Sequence, residues 1–324
     1  MHRSSLSILF ILSVFVGMIL GSEPKCSYCN KSIDGNYLTA DGKSYHENCY
    51  RDHVQPRCEY CEKLIEGKYN LLDDKMYHPT CYIDHIIPRC DICGGPLQGT
   101  YLTDFWGNSF HEQHSSELPE CNTCGRWICG ELTGGGFELS DGRHLCGICN
   151  ETEVSEDFLL ESSIAYVRRL LTTNGITNLP DDIPITLVDQ HRLKQLALSY
   201  SDAMHGFTDH NIQTRNGRVV SKDSHIYILS HLPLTMFRAV LAHELMHVYL
   251  FERDLDLRSD IREGFCNLGS EMVYKDTRSE FAKFRLLNME KSQDPDYGFG
   301  YRKMSQLLDK RGWRYLLETL DEID

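Results

Sequence analysis

Leu241 to Leu250 read LAHELMHVYL, and this stretch decides how the second half of the chain is built. His243, Glu244 and His247 form H-E-x-x-H inside an apolar run with helical spacing. Four residues advance an α-helix a little over one turn, so both imidazoles leave the same face and converge. Two imidazoles at that spacing suit zinc, and Glu244 sits beside them, close enough to take a proton from water at the metal. The pattern implies metal-assisted hydrolysis. It is short enough to arise by chance, so a third ligand and a suitable fold must come from the rest of the chain.

Outward from the motif, Pro233 and Thr235 mark the start of its helix and Asp254 its end. His225 to Ser230 alternates in polarity and predicts a strand just before that helix, the one expected to run along the cleft and pair with extended substrate. Further upstream, DFLLESSIAYVRRLLTT predicts a helix, IPITLVD a short strand and HRLKQLALSYSDAM another helix. HGFTDHNIQTRNGRVVSKD reads as a loop or as a hairpin turning at Asn216-Gly217. A third histidine in the manner of H-E-x-x-H-x-x-G-x-x-H is excluded, because Leu250 stands at the Gly and Arg253 at the last His. A carboxylate from the next helix is the other common solution, with Asp254, Asp256, Asp260, Glu263 and Glu271 as candidates. Glu263, in SDIREGFCNLGSEMVY, is preferred on the precedent of His/His/Glu sites, with Glu271 second. Gly264 beside it allows backbones to approach closely.

The first half is a different kind of sequence. Thirteen of the 14 cysteines precede residue 150. Cys26, Cys29, His46 and Cys49 make one set, and Cys58, Cys61, His78 and Cys81 repeat it 32 residues on. Cys90, Cys93, His111 and His114 follow, then Cys121, Cys124, Cys146 and Cys149. Each set pairs a C-x-x-C turn with a second ligand pair across a hairpin, the layout of a tetrahedral structural zinc site. A disulfide framework is the competing reading, and histidines at the ligand positions argue against it. Tandem zinc units are the plan of a LIM domain. Eight residues separate Cys49 from Cys58, a longer link than a usual LIM domain has, so these are LIM-like modules, and such modules usually bind proteins. His53 and His85 recur outside the sets and read as packing or hydrogen-bonding residues, and Cys129 as a plain core thiol.

The formal charge of −14, with no Lys/Arg block, excludes nucleic acid as an expected partner. Arg3 followed by the apolar run Leu6 to Leu20 has the form of a signal peptide, with Gly21 and Ser22 as small residues near a cleavage point. Secretion is therefore expected, although thiolate zinc sites are commoner in reducing compartments. A membrane anchor at residues 6–20 and a buried core segment are the alternatives.

From the cysteine array to the C-terminus the chain resembles the plant growth-restricting LIM-domain metallopeptidases, the "DA one" family. The resemblance rests on LAHELMHVYL, on Glu263, Gly264 and Cys266, on Asp141 to Cys146, and on Tyr297, Gly298, Gly300, Tyr301 and Arg302. It implies a zinc peptidase of gluzincin-like fold with Glu263 as the third ligand. Members of the family carry ubiquitin-interacting helices before the LIM region. Here only the export-like segment precedes Cys26, so ubiquitin is not an expected partner. Arg262 stands where the family has an acidic residue.

These readings combine into an α+β chain: a leader or anchor at 1–22, LIM-like modules at 23–87 and 88–150, and a mainly helical metallopeptidase domain at 151–324. One catalytic and four structural zinc ions are expected, with protein or peptide as substrate and protein partners for the modules. Glu244 is the expected general base. Tyr301 is named first as oxyanion donor, beside Tyr297 and Arg302, with aromatic packing as the plain alternative. Asn267, one turn after Glu263, could orient a ligand. The rival reading is a zinc-stabilised adaptor with an inactive peptidase fold.

Overall fold

In the computed structural model every C-x-x-C pair sits in the same tight knuckle. Bridges Lys25–Ser32, Arg57–Leu64, Arg89–Pro96 and Glu120–Trp127 close the four knuckles. Inside each, the carbonyl of the first cysteine accepts from the N–H four residues on: Asn30, Glu62, Gly94 and Gly125. Those four residues have φ of 60°, 60°, 70° and 68°, the left-handed conformation that tightens the turn. A hairpin follows each knuckle: β4 (Tyr37–Ala40) with β5 (Lys43–Tyr45), β6 (Lys68–Leu72) with β7 (Lys75–Tyr77), β8 (Gly99–Thr103) with β9 (Ser109–Phe110), and β10 (Gly136–Glu138) with β11 (His144–Cys146). The buried core of the first module is only Cys26, Ile33, Ala40, Tyr45 and Tyr50. So small a core does not stabilise a fold by itself.

The structure describes residues 2–5, 9–11, 15–17, 24–154, 157–197, 200–201 and 204–323. Much of the expected leader, including Gly21 and Ser22, lies outside the described residues. Its described pieces are β1 (His2–Ser5), β2 (Leu9–Ile11) and β3 (Phe15–Gly17), antiparallel to β8, β6 and β4 respectively. Among the described residues no helix is long and apolar enough to cross a membrane.

The chain divides into two units, Met1–Glu117 and Leu118–Asp324. The fourth module lies in the second unit, although its sequence groups it with the third at 88–150. The composition break near residue 150 marks the end of the cysteine array, not the end of packing. Asp141 and Arg143 form a buried ion pair at 2.8 Å. Arg143 also donates to the Ser230 carbonyl, and Asp141 accepts from the Gln190 N–H.

The second unit is helical around a small mixed sheet. α1 (Asp157–Thr173) leads to β12 (Ile185–Val188), and α2 (Gln190–Leu196) is capped by Asp189 accepting from the Arg192 N–H. The helix expected over HRLKQLALSYSDAM stops at Leu196, where Ala197 turns extended (ψ 123°) and buries itself. β13 (Gly206–Arg215) and β14 (Arg218–Leu229) form the hairpin, with Asn216 and Gly217 both at positive φ as such a turn requires. The sheet order is β12-β14-β13. The strand expected beside the cleft, His225–Ser230, therefore belongs to the central strand. Both edges of β14 are taken, by parallel β12 and antiparallel β13. Among the described residues β12 and β13 are the edge strands, and β13 is the one whose residues line the cleft.

α3 (Leu234–Glu252) carries the motif and α4 (Ser259–Thr277) carries Glu263. Apolar side chains are buried on all sides of α3, as a helix at the centre of a core requires. α5 (Glu280–Lys291), a π-helical turn (Pro295–Gly300) and α6 (Tyr301–Thr319) complete the unit. Gly264 lies where α4 crosses that turn, and a Cβ there would overlap the Gly300 carbonyl.

Candidate metal centres and active-site cleft

In α3 the Nε2 atoms of His243 and His247 lie 3.1 Å apart. Glu263 Oε2 is 3.4 Å from each of them. Asn267 fixes the tautomer of His243, since its Oδ1 accepts from the ring Nδ1–H at 3.1 Å and leaves Nε2 free as a ligand. The Asn267 amide in turn donates to the Tyr297 carbonyl at 3.0 Å, tying the ligand to the π-helical turn. Glu263 Oε2 is buried with no hydrogen-bond partner in the protein. An oxygen in that position, facing two imidazole nitrogens, fits a metal ion, and the donor set of two nitrogens and one carboxylate fits zinc.

Burial alone would raise the Glu263 carboxyl, but the close approach and charge of His243 and His247 outweigh it and hold it far below the usual carboxylate range. Burial and the charges of Glu263 and Glu244 push the Tyr297 phenol well above its ordinary value, so it stays a proton donor. Tyr297 lines the same cleft and its ring stacks 6.2 Å from that of His243.

Glu244 is buried against β13. Its Oε2 accepts from the Thr208 hydroxyl at 2.7 Å. A Cβ at Gly206 would lie 2.5 Å from its Oε1, so only glycine leaves the carboxylate room. His210, two residues along the same strand, stacks on Phe251 at 4.1 Å and bonds Ser224 Oγ at 2.9 Å. Burial, with His247 adding to it, lowers the His210 pKa to about 4. All three β13 residues line a cavity of about 750 Å³, which opens over the triad. Asn122 of the fourth module lines it too.

Other residues weighed from the sequence lie elsewhere. Asp254 pairs with Lys222 at 2.5 Å, Asp260 pairs with Arg258 at 2.7 Å, and Asp256 is exposed. Glu271 is buried against Lys275 and accepts from Ser305. Tyr301 is buried near Glu271 and does not line the cleft. Arg302 donates to the Glu290 and Ser292 carbonyls at the end of α5. Gly206, Thr208 and His210 were not singled out in the sequence, where HGFTDHNIQTRNGRVVSKD reads as a loop or as a hairpin. The Asn-Gly turn was the signal that placed them on a strand.

The structure also brings the four Cys/His sets together as groups able to hold metal ions. Within the triad and within each set, ligand atoms lie within 4.8 Å of one another. His46, His78 and His111 each donate from Nε2 to a carbonyl, of Ser32, Leu64 and Pro96. Nδ1 then faces the thiols, at 3.4 Å from Cys29, 3.3 Å from Cys61 and 3.4 Å from Cys93. His114 is turned the other way. Its Nδ1 pairs with Glu117 and its buried Nε2 has no partner, as a ligand atom would be left. Burial raises the Cys26 and Cys58 thiols, but backbone N–H groups of Cys29, His46 and Tyr28, and of Cys61, His78 and Tyr60, outweigh it and bring both to about 6. Such thiols are readily available as thiolates, the form that binds metal. Every cysteine is a free thiol. His53 and His85 stack on Tyr28 and Tyr60 at 4.2 and 4.1 Å and belong to none of the groups.

Fold and site together define a mixed α/β protein in which repeated Cys/His groups, and a His/His/Glu group on the helices that follow, could hold metal ions. Residues 168–276 match the DA1-like family model, described as Protein DA1. The chain is also 22% identical over 282 residues to Protein DA1-related 7 of Arabidopsis thaliana, covering 67% of this chain and 49% of that protein. It thus spans about half the length of the curated relative it matches. Both findings support a relationship to the DA1 family. The family-model match holds His243, Glu244, His247, Glu263 and Asn267, and ends before Arg285 and Tyr297.

Proposed function

We propose that the chain is a zinc metallopeptidase that hydrolyses protein substrates, with the Cys/His modules as LIM-like protein-binding or regulatory elements. The observation that carries this reading is Glu244, held by Thr208 beside the convergent His243, His247 and Glu263 inside a cleft with a free strand edge. Zinc bound at the triad would supply a Lewis acid for the scissile carbonyl and lower the pKa of water. The residues then divide the work. β13 pairs with extended substrate backbone along its free edge. Glu244 takes the proton of the attacking water and passes it to the leaving amine. The Tyr297 phenol, kept protonated, donates to the developing oxyanion, the role for which the sequence put Tyr301 first. Thr208 orients Glu244, and Asn267 orients His243.

An inactive adaptor has no use for Glu244 in this position, so the enzyme reading is preferred. Export is part of the same proposal and rests on the apolar run Leu6–Leu20. The test compares the intact protein with Glu244→Gln on an unfolded protein substrate, with zinc content measured for both. Equal zinc and lost cleavage in the variant is the expected result. Equal cleavage by the two proteins contradicts the proposal.

A further inference from the structure

The cleft carries a charge pattern that the reaction does not need. Among the described residues its lining includes two arginines, Arg262 on α4 and Arg285 on α5, and two carboxylates, Glu244 and Glu263. Both carboxylates are committed, Glu244 to Thr208 and Glu263 to the histidines. Arg262 is partly engaged, its Nε 3.5 Å from Glu263 Oε1. Arg285 makes no hydrogen bond or ion pair among the described residues. Its helical neighbours three and four positions away, Phe281, Ala282, Asn288 and Met289, carry no charge. Asp209, between Thr208 and His210 on β13, is exposed and is not among the residues that line the cleft. A divalent ion at the triad would leave the cleft positive, in a chain whose formal charge is −14.

A half-buried guanidinium with no protein partner, in a cavity with low-dielectric walls, attracts a carboxylate strongly and pairs with it through two parallel N–H donors. We infer that Arg285 is a specificity-determining residue that selects substrates with an acidic side chain close to the scissile bond, with the Arg262 charge in support. This rests on the peptidase reading for the identity of the ligand as a peptide. The rest of the lining agrees. Met204, Phe207, Leu255 and Met289 offer apolar surface for the neighbouring side chains, and among the described residues no further acid lines the cleft. Lysine beside the scissile bond would meet Arg285 as a like charge.

The test uses the full chain, zinc-loaded and carrying Glu244→Gln, so that binding is read without turnover. The probes are short dye-labelled peptides of an alanine–threonine scaffold that differ by Glu, Gln or Lys at each central position in turn. Fluorescence anisotropy should show Glu peptides at one or two positions binding about ten-fold more tightly than their Gln counterparts, and Lys peptides more weakly than either. Adding Arg285→Gln should remove the Glu preference and bring Glu and Gln peptides to equal affinity, while Arg285→Lys should keep part of the preference. Equal binding of Glu and Gln peptides, a Glu preference that survives Arg285→Gln, or no binding by any peptide overturns the assignment. Cleavage of the same peptides by the wild-type chain is measured in parallel. A protein that prefers Glu peptides and cuts none keeps Arg285 as a carboxylate-binding residue and loses the peptidase reading. A protein that cuts all of them equally keeps the peptidase reading and overturns the role of Arg285.

Discussion

Thr208 illustrates how much of a site can hang on one hydroxyl. Its 2.7 Å bond aims Glu244 without touching any metal ligand. Thr208→Val keeps the shape and removes the donor, so we expect kcat to fall about ten-fold, near 1.4 kcal/mol of barrier, with KM and zinc content unchanged. A steady-state assay with metal analysis checks this, and an unchanged kcat would show that packing alone positions Glu244. At this scale the sequence was legible where a helix sets the geometry. The i, i+4 spacing of His243 and His247 and the one-turn step from Glu263 to Asn267 put these side chains in place whatever else the chain does. Choosing between Tyr297 and Tyr301 was not possible in the same way. They flank Gly298 and Gly300, and nothing local says which of the two faces the cleft. The π-helical turn ends at Gly300, between them, so Tyr297 enters the cleft and Tyr301 the core.

Among the elements, α4 and the turn at Pro295–Gly300 approach so closely that the site depends on their contact. Gly264 has no room for a methyl group against the Gly300 carbonyl. Gly264→Ala should separate the two and lower stability by about 1–3 kcal/mol, read as a shift in denaturant midpoint. It should also weaken the hold on Tyr297. An unchanged midpoint would mean that the crossing relaxes without cost. The helices and the Asn216-Gly217 turn were legible from periodicity and turn chemistry. The edge strand was not. Ile226, Ile228 and Leu229 mark β14 as buried, yet nothing local says that β12, some forty residues earlier, pairs with it in parallel and closes that side. Pairing between distant strands is a tertiary outcome, and it moved the cleft edge from β14 to β13.

At the scale of the whole molecule, two kinds of stabilisation coexist. The second unit has a large apolar core built on α3, whereas the modules bury a handful of residues each around ligand groups. The modules were the most legible part of the chain, because four repeats of one ligand pattern leave few alternatives. The packing of the fourth with the C-terminal half was not legible, since it rests on Asp141 and Arg143, two charges that an isolated sequence would place on a surface. Among the described residues five groups could hold metal ions, and in the proposed function the His243, His247 and Glu263 triad is the one that carries the chemistry. The most direct measurement is zinc per chain for the purified wild type and for the double variant His243→Ala/Glu263→Ala. We predict five and four, with cleavage of an unfolded substrate lost in the variant. Equal zinc content in the two proteins would contradict the assignment of the triad, as would cleavage that survives the double substitution.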